Sequence, residues 1–470
     1  MGFIYGLALV LVIFEGIKIQ CENTGVAESS NAIQDPPTID TQKTHLSLPI
    51  ELIEMIVSMS DFETIKNTVR SKIVRTFDPV MSRILQDDII RILPNLNGRI
   101  TEYQSNGESF LDINSHGKVE SFFRIFGDKV KKIEIWYHND VRSNEINENF
   151  IKKYGKNLEE LRVNILNDER FWEVTSDIEN GIIFPEVKKF QFKGFSRRKE
   201  LKLNLIFPKL ESVKLDAPIA DVNCIANVKG LKELMLHASS IAEAQLDDIF
   251  KHNQNMTKIH LYMPERAETM HSISKYLTKL ETFEVHHPHQ KFMVRANNNP
   301  VYNLPSVIHF KIAFFEIDET FEIGNLSFDM PNLKKLILSK VQTSDRFINF
   351  IERFKKLEVV EFFVINVDVV ECIEKFKHIK EFTITFFEKK SIFVDEMFEN
   401  FDKKSELQTL KFVNVHETKC QYYEDNMKRI NERLKTFMKP TWRLSHGQIG
   451  RYKEYLMFER EPCTCESCEK

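Results

Sequence analysis

The sequence predicts an α/β solenoid, with parallel strands along one face, helices returning along the other, and a small all-α domain in front. Three observations predict it. First, one phrase recurs: an aliphatic residue, two others, an apolar residue, one other, and a further apolar residue. It reads NLEELRV from residue 157, KLESVKL from 209, GLKELML from 230, KLETFEV from 279, NLKKLIL from 332 and ELQTLKF from 406. Weaker copies (KVKKIEI, EVKKFQF, NMTKIHL, SVIHFKI, KLEVVEF, HIKEFTI) fill the gaps. Second, the copies are regularly spaced. Their first aliphatic residues are Val130, Leu158, Val187, Leu210, Leu231, Met256, Leu280, Val307, Leu333, Leu357, Ile379 and Leu407, so neighbours stand 21 to 29 residues apart. Third, apolar and polar residues alternate inside each phrase, the period of a half-buried strand.

A period of roughly 20–29 residues is that of leucine-rich repeats. About twelve such units are expected over 129–415. Stacked repeats escape the size limit of a single core, which a chain of 470 residues would otherwise exceed. They also build a long recognition surface, so the default role is binding. The 38 Phe residues point to a bulky aromatic core. The 65 basic and 69 acidic residues nearly cancel, which gives no argument for nucleic acid or an anionic membrane as partner.

From the N-terminus, the elements follow in order. Residues 1–21 read as a secretory signal peptide: the apolar run from Phe3 to Phe14 is too short to span a bilayer and is followed by Glu15 and Lys18. With that segment removed, no membrane association is expected. Residues 22–43 are polar with a Pro-Pro pair, a disordered linker. Residues 44–90 read as helical. Ser47 can cap, Pro49 sits in the first turn, and Leu52, Ile53, Ile56 and Val57 share one face. Residues 91–128 form a linker and N-terminal cap, ending in GKVESFFRIFG, which leads into the first strand. Between strands, SSIAEAQLDDIFKHN, SDRFINFIERFKKL and NVDVVECIEKFKHI read as helical returns, the first two opening on serine caps. Residues 416–470 cap the open end, with TWRLSHGQIGRYKEYLMFERE adding a strand or packing on the last repeat, and then a Cys-rich tail.

Strand alternation fixes which side chains leave the open, concave face: the third, fifth and seventh of each phrase. The fifth-position row runs Glu134, Arg162, Gln191, Lys214, Met235, His260, Glu284, Lys311, Ile337, Glu361, Thr383, Lys411. The seventh-position row runs Trp136, Asn164, Lys193, Asp216, His237, Tyr262, His286, Ala313, Ser339, Phe363, Thr385, Val413. In the middle, His237, His260, Tyr262, His286 and His309 gather on four consecutive strands. Imidazoles in such a patch can bind metal, sense pH or hold an anion. A gently curved sheet rarely brings several ligands to one ion, so no metal ligand is assigned and the patch is read as partner-facing. Further on, Ile337, Val359, Phe363 and Val413 make the face apolar, the mark of a contact site. The expected target-binding residues are therefore Met235, His237, His260, Tyr262, His286, Ile337, Val359, Phe363 and Val413.

Cys463, Cys465 and Cys468 lie within six residues and read as disulfide partners or a reactive tail. Sequons at Asn255 and Asn325 carry little weight in a chain rich in Asn. No nucleophile elbow, P-loop, metalloprotease helix or dinucleotide turn is found, so no catalytic residue and no cofactor is assigned.

Leu48-Pro49, Glu51-Leu52 and Ile56 resemble the opening of an F-box; the following TVRSKIVRTF departs from that motif's usual second half. The GKVESFFRIFG lead-in looks like the entry segment of F-box/leucine-rich-repeat proteins of flies and midges, in which a helix with a Phe-Gly end precedes the first strand, and the resemblance implies such a helix here. With the signal peptide, the whole chain resembles secreted salivary effectors of that kind in gall midges. The resemblance implies a non-catalytic substrate-recognition subunit of a cullin-type ubiquitin ligase. Leu48, Pro49, Leu52 and Ile56 would dock a Skp-type adaptor, the repeats would hold an unknown target protein, and the site of action would be a host cytoplasm. The alternative is an extracellular repeat protein that binds its ligand with no ubiquitin role.

Overall fold

The computed structural model describes residues 89–92, 110–113, 116–137, 140–165, 170–175, 181–194, 202–216, 225, 227–237, 241–264, 267–288, 301–313, 328–342, 345–366, 378–386, 406–415, 442–449 and 453–460. The chain divides into two units, Met1–Lys132 and Ile133–Lys470.

In the first unit, β1 (Ile89–Ile92) pairs in parallel with β2 (Phe110–Ile113). The helix α1 (His116–Phe126) follows, buries Val119, Phe122, Phe123 and Phe126, and closes with the Gly127 N–H donating to Phe123 O at 2.9 Å. This is the expected lead-in helix. The strand pair corrects the sequence reading, which had helix up to residue 90. IIRI and FLDI are four-residue runs, each with three apolar residues and one charged, too short for periodicity to tell strand from helix. The adaptor residues Leu48, Pro49, Leu52 and Ile56 lie outside the described residues, as do the signal segment and the terminal cysteines.

The second unit carries one long sheet of fourteen strands among the described residues, mostly parallel. Its strands, in the order in which they lie, are β3 (Lys132–Tyr137), β4 (Glu160–Ile165), β5 (Lys189–Gly194), β6 (Ser212–Asp216), β7 (Glu233–His237), β8 (Lys258–Tyr262), β9 (Thr282–His286), β11 (His309–Ala313), β13 (Lys335–Gln342), β14 (Val359–Asn366), β15 (Glu381–Phe386) and β16 (Thr409–Val415), then β18 (Lys453–Arg460) and β17 (Trp442–Ile449). From β4 to β16 each strand of this sheet pairs in parallel with the next, and spatial order follows chain order. Such an order requires a crossover after each strand. Helices α2 (Val141–Tyr154), α3 (Arg170–Thr175), α4 (Leu203–Ile206), α5 (Glu243–His252), α6 (Ala267–Tyr276) and α7 (Asp345–Glu352) lie in these crossovers. So does a second, two-stranded parallel sheet of β10 (Tyr302–Asn303) and β12 (Phe328–Asp329).

The repetition reaches the backbone hydrogen bonds. The N–H of the second phrase position donates to the carbonyl of the same position one unit earlier: Lys188 to Glu159, Glu211 to Lys188, Lys232 to Glu211, Thr257 to Lys232, Glu281 to Thr257, and on through Ile308, Lys334, Glu358, Lys380 and Gln408, at 2.7–2.9 Å. Each unit thus docks onto the last by the same bond, the one-dimensional growth of a solenoid.

The chain ends differently. β17 and β18 form an antiparallel hairpin, and β18 pairs antiparallel with β16. The expected final strand is two strands, with Gly450-Arg451-Tyr452 between them. The segment holds two alternating runs, but repeat spacing predicts only one strand per unit.

The core lies under one face of the sheet. Leu234, Leu236, Ile259, Leu261, Phe283, Val285, Phe310 and Ile312 are at most 1% exposed, while the residues between them are half-buried. α5 adds Leu246, Ile249 and Phe250, and α6 adds Met270 and Ile273. α5 begins at Glu243 behind Ala242, whose N–H donates to Gln245 Oε1 at 3.3 Å, so the serine cap expected there is not used. The two helices are tied by Ser272 Oγ–H donating to Asp247 at 2.6 Å. Buried Asn253 joins successive units. Its amide donates to Val228 O and Ile249 O, and its oxygen accepts from Leu231 N–H. These contacts fix the relative height of β7, β8 and β9.

Candidate functional site

The site follows from alternation. With Leu234, Leu236, Ile259, Leu261, Phe283 and Val285 turned into the core, their neighbours must leave the opposite, open face. Register then aligns them across strands. Met235 pairs with His260, His260 with Glu284, and Glu284 with Lys311. His237 pairs with Tyr262, Tyr262 with His286, and His286 with Ala313. The fifth-position row read from the sequence is reproduced without a slip from Arg162 to Lys411.

Strands about 4.8 Å apart hold flat rings at stacking distance. The His237 and Tyr262 centroids are 4.9 Å apart and those of Tyr262 and His286 4.7 Å, each pair inclined by 20°. Ala313 ends the ladder. Burial, then the nearby Asp216 and Glu284, push the Tyr262 phenol up, so it stays protonated at neutral pH.

Beside the ladder, one carboxylate faces three bases. His260 Nε2 is 3.1 Å from Glu284 Oε1, His286 Nε2 is 3.4 Å from Oε2, and Lys311 Nζ is 3.6 Å from Oε2. Burial by itself would raise the Glu284 carboxyl; the two imidazoles and Lys311 overcome it and hold the group far below the usual carboxylate range. The His260 ring nitrogen is close enough for a charge contact but out of line for a hydrogen bond, and it is buried. His237 has its own acid, Asp216, at 3.8 Å, which also meets Lys193 at 3.5 Å. His309, next in the third-position row, has a buried Nε2 without a hydrogen bond, and burial pushes its imidazole pKa down.

The turns below the ladder are strained. Met263 and His287 follow Tyr262 and His286 and take φ of 51° and 53°, the left-handed region that non-glycine residues avoid. Met263 N–H donates to His286 O at 2.7 Å and His287 N–H to Ala313 O at 2.5 Å. Two adjacent units thus share one unusual turn directly under the ring ladder, and strain of this kind clusters at functional sites.

Of the expected target-binding residues, Met235, His237, His260, Tyr262 and His286 come together. Ile337, Val359, Phe363 and Val413 lie on the same face farther along, but they do not form the exposed apolar patch the sequence suggested. Ile337 and Val413 are only 8% and 7% exposed, and Val359 and Phe363 are half-buried. In register, Ile337 lies between Lys311 and Glu361, and Val413 between Thr385 and Tyr455 of the terminal hairpin. A strand beyond β16 was not certain from the repeat spacing, so that flank was unseen. Glu284 is the site residue that the sequence expectation lacks, and the signal for it is its place in the fifth-position row between His260 and Lys311, two residues before His286.

The carboxylate and its two imidazoles are the one group of metal-type ligands that converges among the described residues: the donor atoms of His260, Glu284 and His286 all lie within 4.8 Å of one another. No helix among the described residues is long and apolar enough to cross a membrane. Comparison with protein-family models finds no match, and comparison with curated proteins finds none either.

Proposed function

We propose that this protein is a non-catalytic recognition protein, a leucine-rich-repeat solenoid of about twelve units whose open face holds a partner protein. The observation that carries the reading is the fifth-position row, which stays in register from β4 to β16, with one face sealed by core and the other presenting ordered rows of side chains that are half-buried on β7, β8, β9 and β11. A rigid, repetitive ribbon of this kind supplies contact area rather than chemistry.

The role of that binding rests on residues 44–90. Their F-box resemblance supports the finer proposal of a substrate-recognition subunit of a cullin-type ubiquitin ligase. Leu48, Pro49, Leu52 and Ile56 dock a Skp-type adaptor, and the open face presents the target's lysines to a charged conjugating enzyme. This is proximity applied to another enzyme's reaction. The N-terminal apolar run supports export. Because Skp adaptors are cytosolic or nuclear, the two features are reconciled by delivery into a host cytoplasm.

A pulldown with purified Skp adaptor tests the ligase role. Binding that is lost in Leu48→Ala/Pro49→Ala supports it. No binding, or binding indifferent to those substitutions, leaves the extracellular binding protein as the reading. A crosslinking map of a bound partner tests the solenoid. Crosslinks should fall on the open-face rows between β5 and β11; crosslinks confined to the helices would overturn that placement.

A further inference from the structure

We propose that His260, Glu284 and His286 form a binding site for one divalent transition-metal ion of the zinc class. The proposal stands whether or not the ligase reading holds.

Donor chemistry is the first support. Two imidazole nitrogens and one carboxylate are a set that zinc accepts in sites that keep one coordination position open. Geometry is the second. Bonds of about 2.0–2.2 Å in a tetrahedral arrangement place ligand atoms about 3.3–3.5 Å apart. The structure has 3.1 Å from His260 Nε2 to one Glu284 oxygen and 3.4 Å from His286 Nε2 to the other. All the donor atoms lie within 4.8 Å of one another, wider than that tetrahedral spacing, so the side chains close in on the ion by rotation.

The third support is an imperfectly satisfied atom. His260 Nε2 is buried, and its one polar neighbour, Glu284 Oε1 at 3.1 Å, is out of line for a hydrogen bond. A metal would take its lone pair. The fourth is rigidity. Each ligand sits mid-sheet, and the His286 ring is stacked on Tyr262, itself stacked on His237. Ligands on rigid elements, with orientations set by packing, are what a metal site requires.

The sheet solves the convergence problem by position. Glu284 lies directly opposite His260 across the β8–β9 pair and two residues from His286 on the same face of β9. The carboxylate reaches sideways to one imidazole and along its strand to the other. Lys311 is the competing cation, since its ammonium contacts the same carboxylate at 3.6 Å and must swing away when an ion binds. The open coordination position faces solvent or a bound partner, so the ion can also be a contact point for a partner's side chain.

The alternative is that the cluster is only a network of ion pairs. Zinc titration by calorimetry of the full-length protein decides between them. Cys463→Ser, Cys465→Ser and Cys468→Ser are introduced throughout so that the terminal thiols cannot take the ion. One equivalent should bind, with affinity reduced at least about tenfold in Glu284→Gln and in His260→Gln and retained in His252→Ala, which removes an exposed imidazole outside the cluster. Cobalt in the same background should give weak visible bands without the near-ultraviolet thiolate band. Circular dichroism and thermal unfolding in EDTA show which variants fold. If one of the two ligand variants does not, the other carries the test. Absence of zinc binding in the Cys→Ser background overturns the proposal, as does binding unchanged by both ligand substitutions.

Discussion

Two stretches of the open face use charge in opposite ways. At β3–β5, Arg162 is matched to Glu160, with Nε donating at 2.7 Å and both side chains about 10% exposed. Next to them, Glu134 accepts from Trp136 Nε1–H and from the Asn164 amide, each at 3.0 Å. At β8–β11, a single acid, Glu284, is surrounded by His260, His286 and Lys311. The strands, spacing and register rule are the same. The first stretch is a closed account of donors and acceptors, and such an arrangement holds structure. The second has more bases than acid and holds His260 Nε2 in a charge contact out of line for a hydrogen bond, and such an arrangement is open to a ligand.

The largest effect should come from breaking the closed network. Arg162→Ala leaves the Glu160 carboxylate buried without its guanidinium and should reduce stability by about 3–5 kcal/mol in urea unfolding. Replacing both partners, Arg162→Met with Glu160→Leu, should restore most of that loss, because neither charge is then stranded. A loss below about 1 kcal/mol for Arg162→Ala would mean that the pair is solvated and the contrast with Glu284 unfounded.

Glu284→Gln should be milder, about 1–3 kcal/mol in EDTA, because the amide still offers hydrogen-bonding groups to its neighbours, whereas Arg162→Ala leaves the Glu160 carboxylate a buried charge without its guanidinium. A loss as large as that of Arg162→Ala would make the central cluster a structural ion pair like the first. His237→Ala removes the end ring of the stack and should reduce the melting free energy by about 0.5–1.5 kcal/mol. An unchanged transition would show that the ladder adds nothing to rigidity.

The smallest effect is in pH dependence. Burial holds the folded-state pKa of His309 below its unfolded value, opposed by Glu284 and Glu361 and aided by Lys335 and Lys311. Above about pH 6.5 the imidazole is neutral in both states. As pH falls below that, the unfolded chain takes the proton first, so the folded state loses stability until the folded pKa is passed. His309→Gln should flatten this slope between pH 7.5 and 5.5 relative to the parent protein. Identical slopes would place His309 in a solvated environment.

Much of this was legible in the residues. Phrases such as KLETFEV fix the faces, since Leu280, Phe283 and Val285 must share one side, and their regular spacing fixes the register. The Glu284–Lys311 pairing follows from counting positions. The terminal hairpin was half-legible, because the alternation is present but the repeat predicts one strand where two form. The β1–β2 pair was hidden in four-residue runs, and the cap of α5 was misplaced because Ser239 and Ser240 precede a helix that starts only at Glu243.

By itself, then, the sequence determined the solenoid period, the buried face and the order of side chains along the open one. All three depend on periodicity, which is local and additive. Only the tertiary structure decided that His260, Glu284 and His286 come within reach of one ion, that the neighbouring turns are left-handed, and that Ile337 and Val413 are buried. Those outcomes depend on rotamers, ring stacking and a flanking hairpin. They are set by distances of a few ångströms between strands more than twenty residues apart, which a one-dimensional pattern does not carry.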